Sequence, residues 1–278
     1  MRPVPESDLY LGYSDADLAV SPCAPFFRPA MAPLSAQVRE ALAVGPVAAA
    51  LMPPVERARD LLAPGYQAVE TGYTTCPDRS ARVAVLTPMP GVTPAMWDWW
   101  FAWHGSHAER YKLWHPRAHV HVAWSDGRDD LDHYVGRTSN VVEYVGAGRM
   151  SLTIRFVPPS SLGLDETRLA TAGETAICAR GSLAGTPMET GWLIHHVRPA
   201  PGGAEMRSRF WLGGNNVRPR GLEGPLGRAL GRTAARLAPI AAVQAADLLV
   251  HCAQEMAHLA AILPDIHATF GPGGKGRP

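Results

Sequence analysis

The chain has few cysteines and almost no net charge, and both facts narrow what it can be. Its four cysteines, Cys23, Cys76, Cys178 and Cys252, are scattered and form no C-x-x-C pair. This argues against a disulfide framework or a cysteine-rich zinc knot, and reduced thiols in a cytoplasm are the expectation. Lys plus Arg number 26 against 25 for Asp plus Glu. Without a cationic excess to neutralise phosphates, nucleic-acid binding is not expected. No apolar run approaches the roughly 18 residues of a membrane-spanning helix, so no membrane partner is expected. The opening Met1-Arg2-Pro3-Val4-Pro5-Glu6 has no apolar core of an export signal. A G-x-S-x-G elbow, a phosphate-binding P-loop and a dinucleotide glycine motif in strand-turn-helix context are all missing.

Apolar residues at 46% against 18% charged exclude disorder over the whole length. Gly (27) and Pro (26) are plentiful, which predicts many turns. Residues 1–35 are Pro-rich and read as an extended arm. Ser35 caps an Ala-rich helix reaching residue 51, and Pro53-Pro54 separates it from a second helix over 55–62, ended by Pro64-Gly65. Strands follow at 67–73 and 82–87, then a helix over 94–103 with Pro in its first turn. Further strands are read at 118–124, 140–146, 150–157, 174–182, 190–198 and 204–212, the last two flanking a Pro-Gly-Gly turn. A helix over 223–236 and a long one over 239–263, stopped by Pro264, close the chain before a flexible tail, 271–278. This is an α+β order: an antiparallel sheet wrapped against one long C-terminal helix. Residues 1–64 are expected to form an N-terminal arm and a helical packing or dimerisation region, and 65–270 the main domain.

Histidine is the informative residue. Five of eleven lie between 104 and 121: His104, His107, His115, His119 and His121. By period-two alternation His119 and His121 share one strand face. On the C-terminal helix, His251 and Glu255 are four residues apart and converge on one side, inside otherwise apolar sequence. A buried carboxylate there needs a cation or donors to meet it. Glu143 is an isolated carboxylate in the apolar strand Val141-Val142-Glu143-Tyr144-Val145. One strand His, one strand Glu and the helical pair would make a His₂Glu₂ set, suited to zinc or another divalent first-row metal. His195 and His196 are adjacent on a strand, so they point to opposite faces. In Glu205-Met206-Arg207-Ser208-Arg209-Phe210-Trp211, the residues Glu205, Arg207 and Arg209 share a face, with a cross-strand salt-bridge ladder as the simplest reading. Trp97, Trp99, Trp100 and Trp103 read as core.

Four stretches carry a family resemblance. They are Met89 to Gly105 with its tryptophan-rich centre, Arg110-Tyr111-Lys112-Leu113-Trp114-His115-Pro116, Val141 to Gly146, and Met206-Arg207-Ser208-Arg209-Phe210-Trp211-Leu212-Gly213. With the His251/Glu255 pair they resemble, in order over about residues 65–260, the 2,4-diacetylphloroglucinol hydrolase family, which includes phloretin hydrolase. The resemblance implies a homodimer using a helical N-terminal domain. It implies a helix-grip domain similar to birch-pollen-allergen proteins. It also implies zinc-dependent hydrolysis of the bond between a polyphenol ring and an acyl group. The implied metal ligands are His119, Glu143, His251 and Glu255, with His115 as the alternative to His119. The implied catalytic histidine is His195, with His196 as the alternative, and Tyr111 binds substrate. A second substrate-binding Tyr of the family falls at Phe210, which removes one hydrogen bond to a phenol. From this follows a retro-Claisen step. His195 moves a proton or activates water, Tyr111 holds a phenolic oxygen, and Glu205 and Arg209 orient neighbouring groups. Arg209, Phe210 and Trp211 are expected beside the acylated polyphenol. Two other readings stay open: hydrolysis of another β-dicarbonyl or polyketide substrate at the same site, and a non-catalytic binder of aromatic ligands.

Overall fold

The structure, a computed structural model, describes residues 5–130, 132–222, 224–237 and 240–274. The strands are β1 (Gly72–Thr75), β2 (Ser80–Pro90), β3 (His119–Trp124), β4 (Thr138–Val145), β5 (Gly148–Val157), β6 (Thr175–Leu183), β7 (Met188–Ala200), β8 (Gly203–Gly213) and β9 (Arg218–Pro219). The helices are α1 (Asp15–Val20), α2 (Ala36–Val44), α3 (Pro94–Trp103), α4 (Ala108–Trp114), α5 (Glu166–Ala172), α6 (Gly224–Leu237), α7 (Ala242–Ala260) and α8 (Leu263–Phe270). The strands form one sheet in the order β1-β2-β8-β7-β6-β5-β4-β3, with β9 beside β7, and every pairing is antiparallel.

Helix α7 touches β1 and β2 near one end of this order and β4 near the other. Strands are about 4.8 Å apart, so β2 and β4 would be about 24 Å apart in a flat sheet, twice the width of a helix. One helix reaches both because the sheet curves around it. The fold is thus α+β, a curved antiparallel sheet gripping a C-terminal helix.

Period-two alternation gives the sheet two apolar faces. Ile177, Ala179, Val197, Met206 and Phe210 point toward α7 and join a core with Leu249, Cys252, Met256 and Leu259. Their strand neighbours Ala176, Cys178, Ile194 and Trp211 point the other way and pack under Ala58, Leu61 and Leu62. The segment before β1 therefore covers the sheet's outer face, while Val38 of α2 joins the α7 core.

Several local expectations are corrected. The first helix ends at Val44, at Gly45-Pro46, because Gly45 takes φ +85° and proline cannot continue the turn. Residues 55–62 are 3₁₀ turns kinked at Arg57. The first strand starts at Gly72, five residues later than expected. The long helix breaks after Ala260, and Pro264 opens α8 in its first turn, where a missing N–H costs nothing. Of the expected tail, residues 275–278 lie outside the described residues.

Candidate metal centre

Three elements bring the site together. Thr93 caps α3 by accepting the Met96 N–H, and α3 buries Trp97, Trp100 and Phe101. The chain then turns into α4, which buries Tyr111 and Trp114. β3 begins at His119, opposite Glu143 of β4. The register slips between His119 and His121, so the bulge separates the two histidines that strict alternation placed together. His119 is fully buried, whereas His121 is half-buried and lies near Lys112 and Asp8.

His119, Glu143 and His251 each direct a ligand atom to one point, all within 4.8 Å of one another. Glu255 adds to them from the helix, its Oε2 lying 3.3 Å from His119 Nε2 and 3.7 Å from His251 Nε2. His119 donates its Nδ1–H to the backbone carbonyl of Tyr111 at 3.0 Å. This leaves the lone pair on Nε2 facing the carboxylates, the arrangement of metal-ligating histidines. Among the described residues that buried Nε2 has no hydrogen-bond partner. Burial pushes the Glu255 carboxyl well above its usual range, and the Glu143 charge adds to the rise. Burial holds His119 well below the usual imidazole range, with His251 and His115 adding to the depression. An orphaned imidazole nitrogen between two carboxylates is satisfied by a divalent cation, and two nitrogens with two oxygens suit zinc. His115 stacks on His251 at 5.2 Å but lies outside the converging set.

The Tyr111 hydroxyl donates to Glu143 Oε2, and its ring stacks on His119 at 3.8 Å. His195 lies on the same side of the sheet. Its ring contacts Phe101 at 6.0 Å and Phe210 at 5.7 Å, and Phe101 leads through Trp114 to His119. Burial pushes the His195 imidazole down to about 3. Its Nδ1 is 2.8 Å from Ser208 Oγ. No sequence signal marks Ser208, because only the β7–β8 register places it opposite His195. His196 points to the outer face, 2.7 Å from Glu174.

Three expected site residues are not at the site. Glu205, Arg209 and Trp211 occupy the odd positions of β8 and face outward, away from α7. Glu205 pairs with Arg198 and accepts from Tyr66, Arg209 pairs with Glu70, and Trp211 donates to the Pro53 carbonyl at 2.9 Å. The expectation of a catalytic Glu205 and of substrate contacts from Arg209 and Trp211 is therefore corrected. Phe210 alone of the three expected β8 contacts faces the interior.

Residues 51–268 match the family described as "DAPG hydrolase PhiG domain". The chain is 34% identical to a 2,4-diacetylphloroglucinol hydrolase from a Pseudomonas species, over 96% of this chain and 94% of that protein. Identity to the 2,4-diacetylphloroglucinol hydrolase of Pseudomonas protegens is also 34%, over 96% and 90%. The phloretin hydrolase of Eubacterium ramulus is 30% identical, over 87% of this chain and 88% of its own length. Among solved structures, the chain is similar to Ara h 8.0201 with a TM-score of 0.32 and 11% identity, covering 62% of this chain and 99% of that one. The converging histidines and carboxylates, the family match and these identities lead to one assignment: the chain belongs to the 2,4-diacetylphloroglucinol hydrolase family of enzymes.

Proposed function

We propose that the chain is a zinc-dependent hydrolase that cleaves the carbon–carbon bond between a phloroglucinol-type ring and its acyl group by a retro-Claisen step. The observation that carries the reading is the convergence of His119, Glu143, His251 and Glu255 around a buried, unpartnered imidazole nitrogen in a chain of this family. When bound by these four residues, zinc supplies Lewis acidity toward a substrate oxygen and activation of water.

The substrate class sets what the residues must do. Direct cleavage would expel an aryl carbanion, a very poor leaving group. Proton gain at the ring carbon gives a ketone tautomer, and addition of water at the acyl carbonyl then releases a carboxylic acid and the deacylated phenol. Tyr111 gives its one O–H to Glu143; with Glu143 engaged by zinc, that O–H would be free to turn to a phenolic oxygen. Phe101 and Phe210 give His195 flat apolar walls that accept a ring and exclude water. Phe210 offers no hydroxyl, so substrates whose phenols need a second donor there bind less tightly. The enzyme is further proposed to be a cytoplasmic homodimer joined through its N-terminal segment, where Leu18, Val20, Val44 and Leu51 are exposed.

The test is a mass-spectrometric assay of zinc-loaded protein against 2,4-diacetylphloroglucinol, phloretin and cyclic 1,3-diketones. Release of a carboxylic acid and the matching phenol from an acylphenol is expected. Turnover of the diketones alone would replace the proposal with the broader β-dicarbonyl reading.

A further inference from the structure

The bond that holds His195 says more about how it works, and the catalytic half of this inference rests on the hydrolase reading above. His195 on β7 and Ser208 on β8 are directly opposed across the strands. His195 Nδ1 and Ser208 Oγ are 2.8 Å apart, both buried. Among the described residues His195 Nδ1 is the side-chain partner of the Ser208 hydroxyl.

A serine hydroxyl has one proton to give and lone pairs to accept with. In this buried pair the acceptor on hand for that proton is the unprotonated imidazole nitrogen. The favoured arrangement therefore sends the Ser208 O–H to Nδ1. A neutral imidazole carries one N–H, so with Nδ1 accepting, the proton lies on Nε2. Burial keeps the ring neutral near pH 7, as its imidazole pushed down to about 3 requires. A carboxylate beside Nδ1 would favour a charged ring; Ser208 brings no charge.

We propose that Ser208 is a positioning residue that holds His195 as the Nε2–H tautomer, so that His195 serves the reaction as a neutral hydrogen-bond donor to the substrate oxygen on which negative charge develops. In this role no proton leaves the imidazole. The oxygen gains charge as water adds to the acyl carbon and returns it as the carbon–carbon bond breaks. A donor fixed in a dry site strengthens as that charge grows and needs no reorganisation. The expectation that His195 shuttles a proton is thereby replaced by electrostatic stabilisation.

Histidine-selective ¹⁵N labelling with long-range ¹H–¹⁵N correlation tests the tautomer directly, the His195 signals being those lost in His195→Ala. The protonated nitrogen is expected at Nε2 in the wild type and in Ser208→Thr, and a mixed population in Ser208→Ala. Turnover of 2,4-diacetylphloroglucinol should fall about 10- to 100-fold in Ser208→Ala at unchanged zinc content, and recover in Ser208→Thr. His195→Gln should retain at least about tenfold more activity than His195→Ala, because a carboxamide N–H can replace a donor but not a proton carrier. A wild-type proton on Nδ1, an unchanged tautomer in Ser208→Ala, or His195→Gln as inactive as His195→Ala would overturn the proposal. An Nε2–H tautomer in a protein that turns over no acylphenol would instead reject the hydrolase reading and leave the role of Ser208 standing.

Discussion

Replacing Glu70 should destabilise the protein by several kcal/mol while leaving the metal centre intact. Glu70 receives both outward-facing arginines of β8: Arg207, whose side chain is 1% exposed, and Arg209, at 5%. It is the carboxylate that joins the segment before β1 to the outer face of the sheet. Removing one partner of a buried ion pair costs about 3–5 kcal/mol, since the remaining charge stays buried and unpaired. Here two guanidinium groups are left, but each keeps another acceptor. Arg207 still donates to the Leu61 carbonyl at 2.7 Å and Arg209 to the Ser208 carbonyl at 2.9 Å. The expected loss for Glu70→Ala is therefore near the lower end, about 3 kcal/mol, read as a lower urea midpoint at unchanged slope. The pH dependence has a definite sign. Burial alone would raise the Glu70 carboxyl, but Arg207 and Arg209 outweigh it and hold the carboxyl below its usual range. A depressed folded-state value means the stabilisation is complete above the unfolded value of about 4.3 and is lost as pH falls through the folded value. The gap between wild type and Glu70→Gln should thus close in acid. A loss below about 1 kcal/mol, the range of an exposed pair, would refute the clamp. So would a Glu70→Gln protein of normal stability but without turnover, which would return these arginines to the active site.

Three further outcomes are expected. His251→Ala and Glu255→Gln should each lose bound zinc, measured by elemental analysis after dialysis, because each removes one of four converging groups; full occupancy in both would remove the assignment. His195→Ala should keep zinc and lose about 10²–10³-fold in turnover, the cost of one oxyanion donor, while His196→Ala, facing Glu174 on the outer side, should stay close to wild type. Light scattering at micromolar concentration should give the mass of a dimer, and a monomer would contradict the proposed role of the N-terminal segment.

The sequence made most strands legible because alternation and turn residues act locally. Pro94 marked the start of α3 for the same reason, through a ring that needs no N–H in the first turn. The His251/Glu255 pair was legible because four residues bring side chains to one helix face whatever else the protein does. The faces of β8 were different. Alternation separated Glu205, Arg207 and Arg209 from Met206, Ser208 and Phe210, but both sets are buried, so hydrophobicity could not say which one faced α7. That choice depends on residues 51–71 covering the outer face, a contact about 140 residues distant in sequence. The bulge between His119 and His121 was equally hidden, since one extra residue in a ladder leaves no local mark. Helix α4, which carries Tyr111, went unread because its seven residues are too short for a clear period.

The most direct measurement of the central claim is a titration of zinc into metal-stripped protein with simultaneous assay of acyl release from 2,4-diacetylphloroglucinol. The account predicts that activity rises with zinc and stops at one equivalent per chain, and that Glu255→Gln neither binds that equivalent nor gains activity. Full turnover in the stripped protein, or undiminished zinc-dependent turnover in Glu255→Gln, would contradict it.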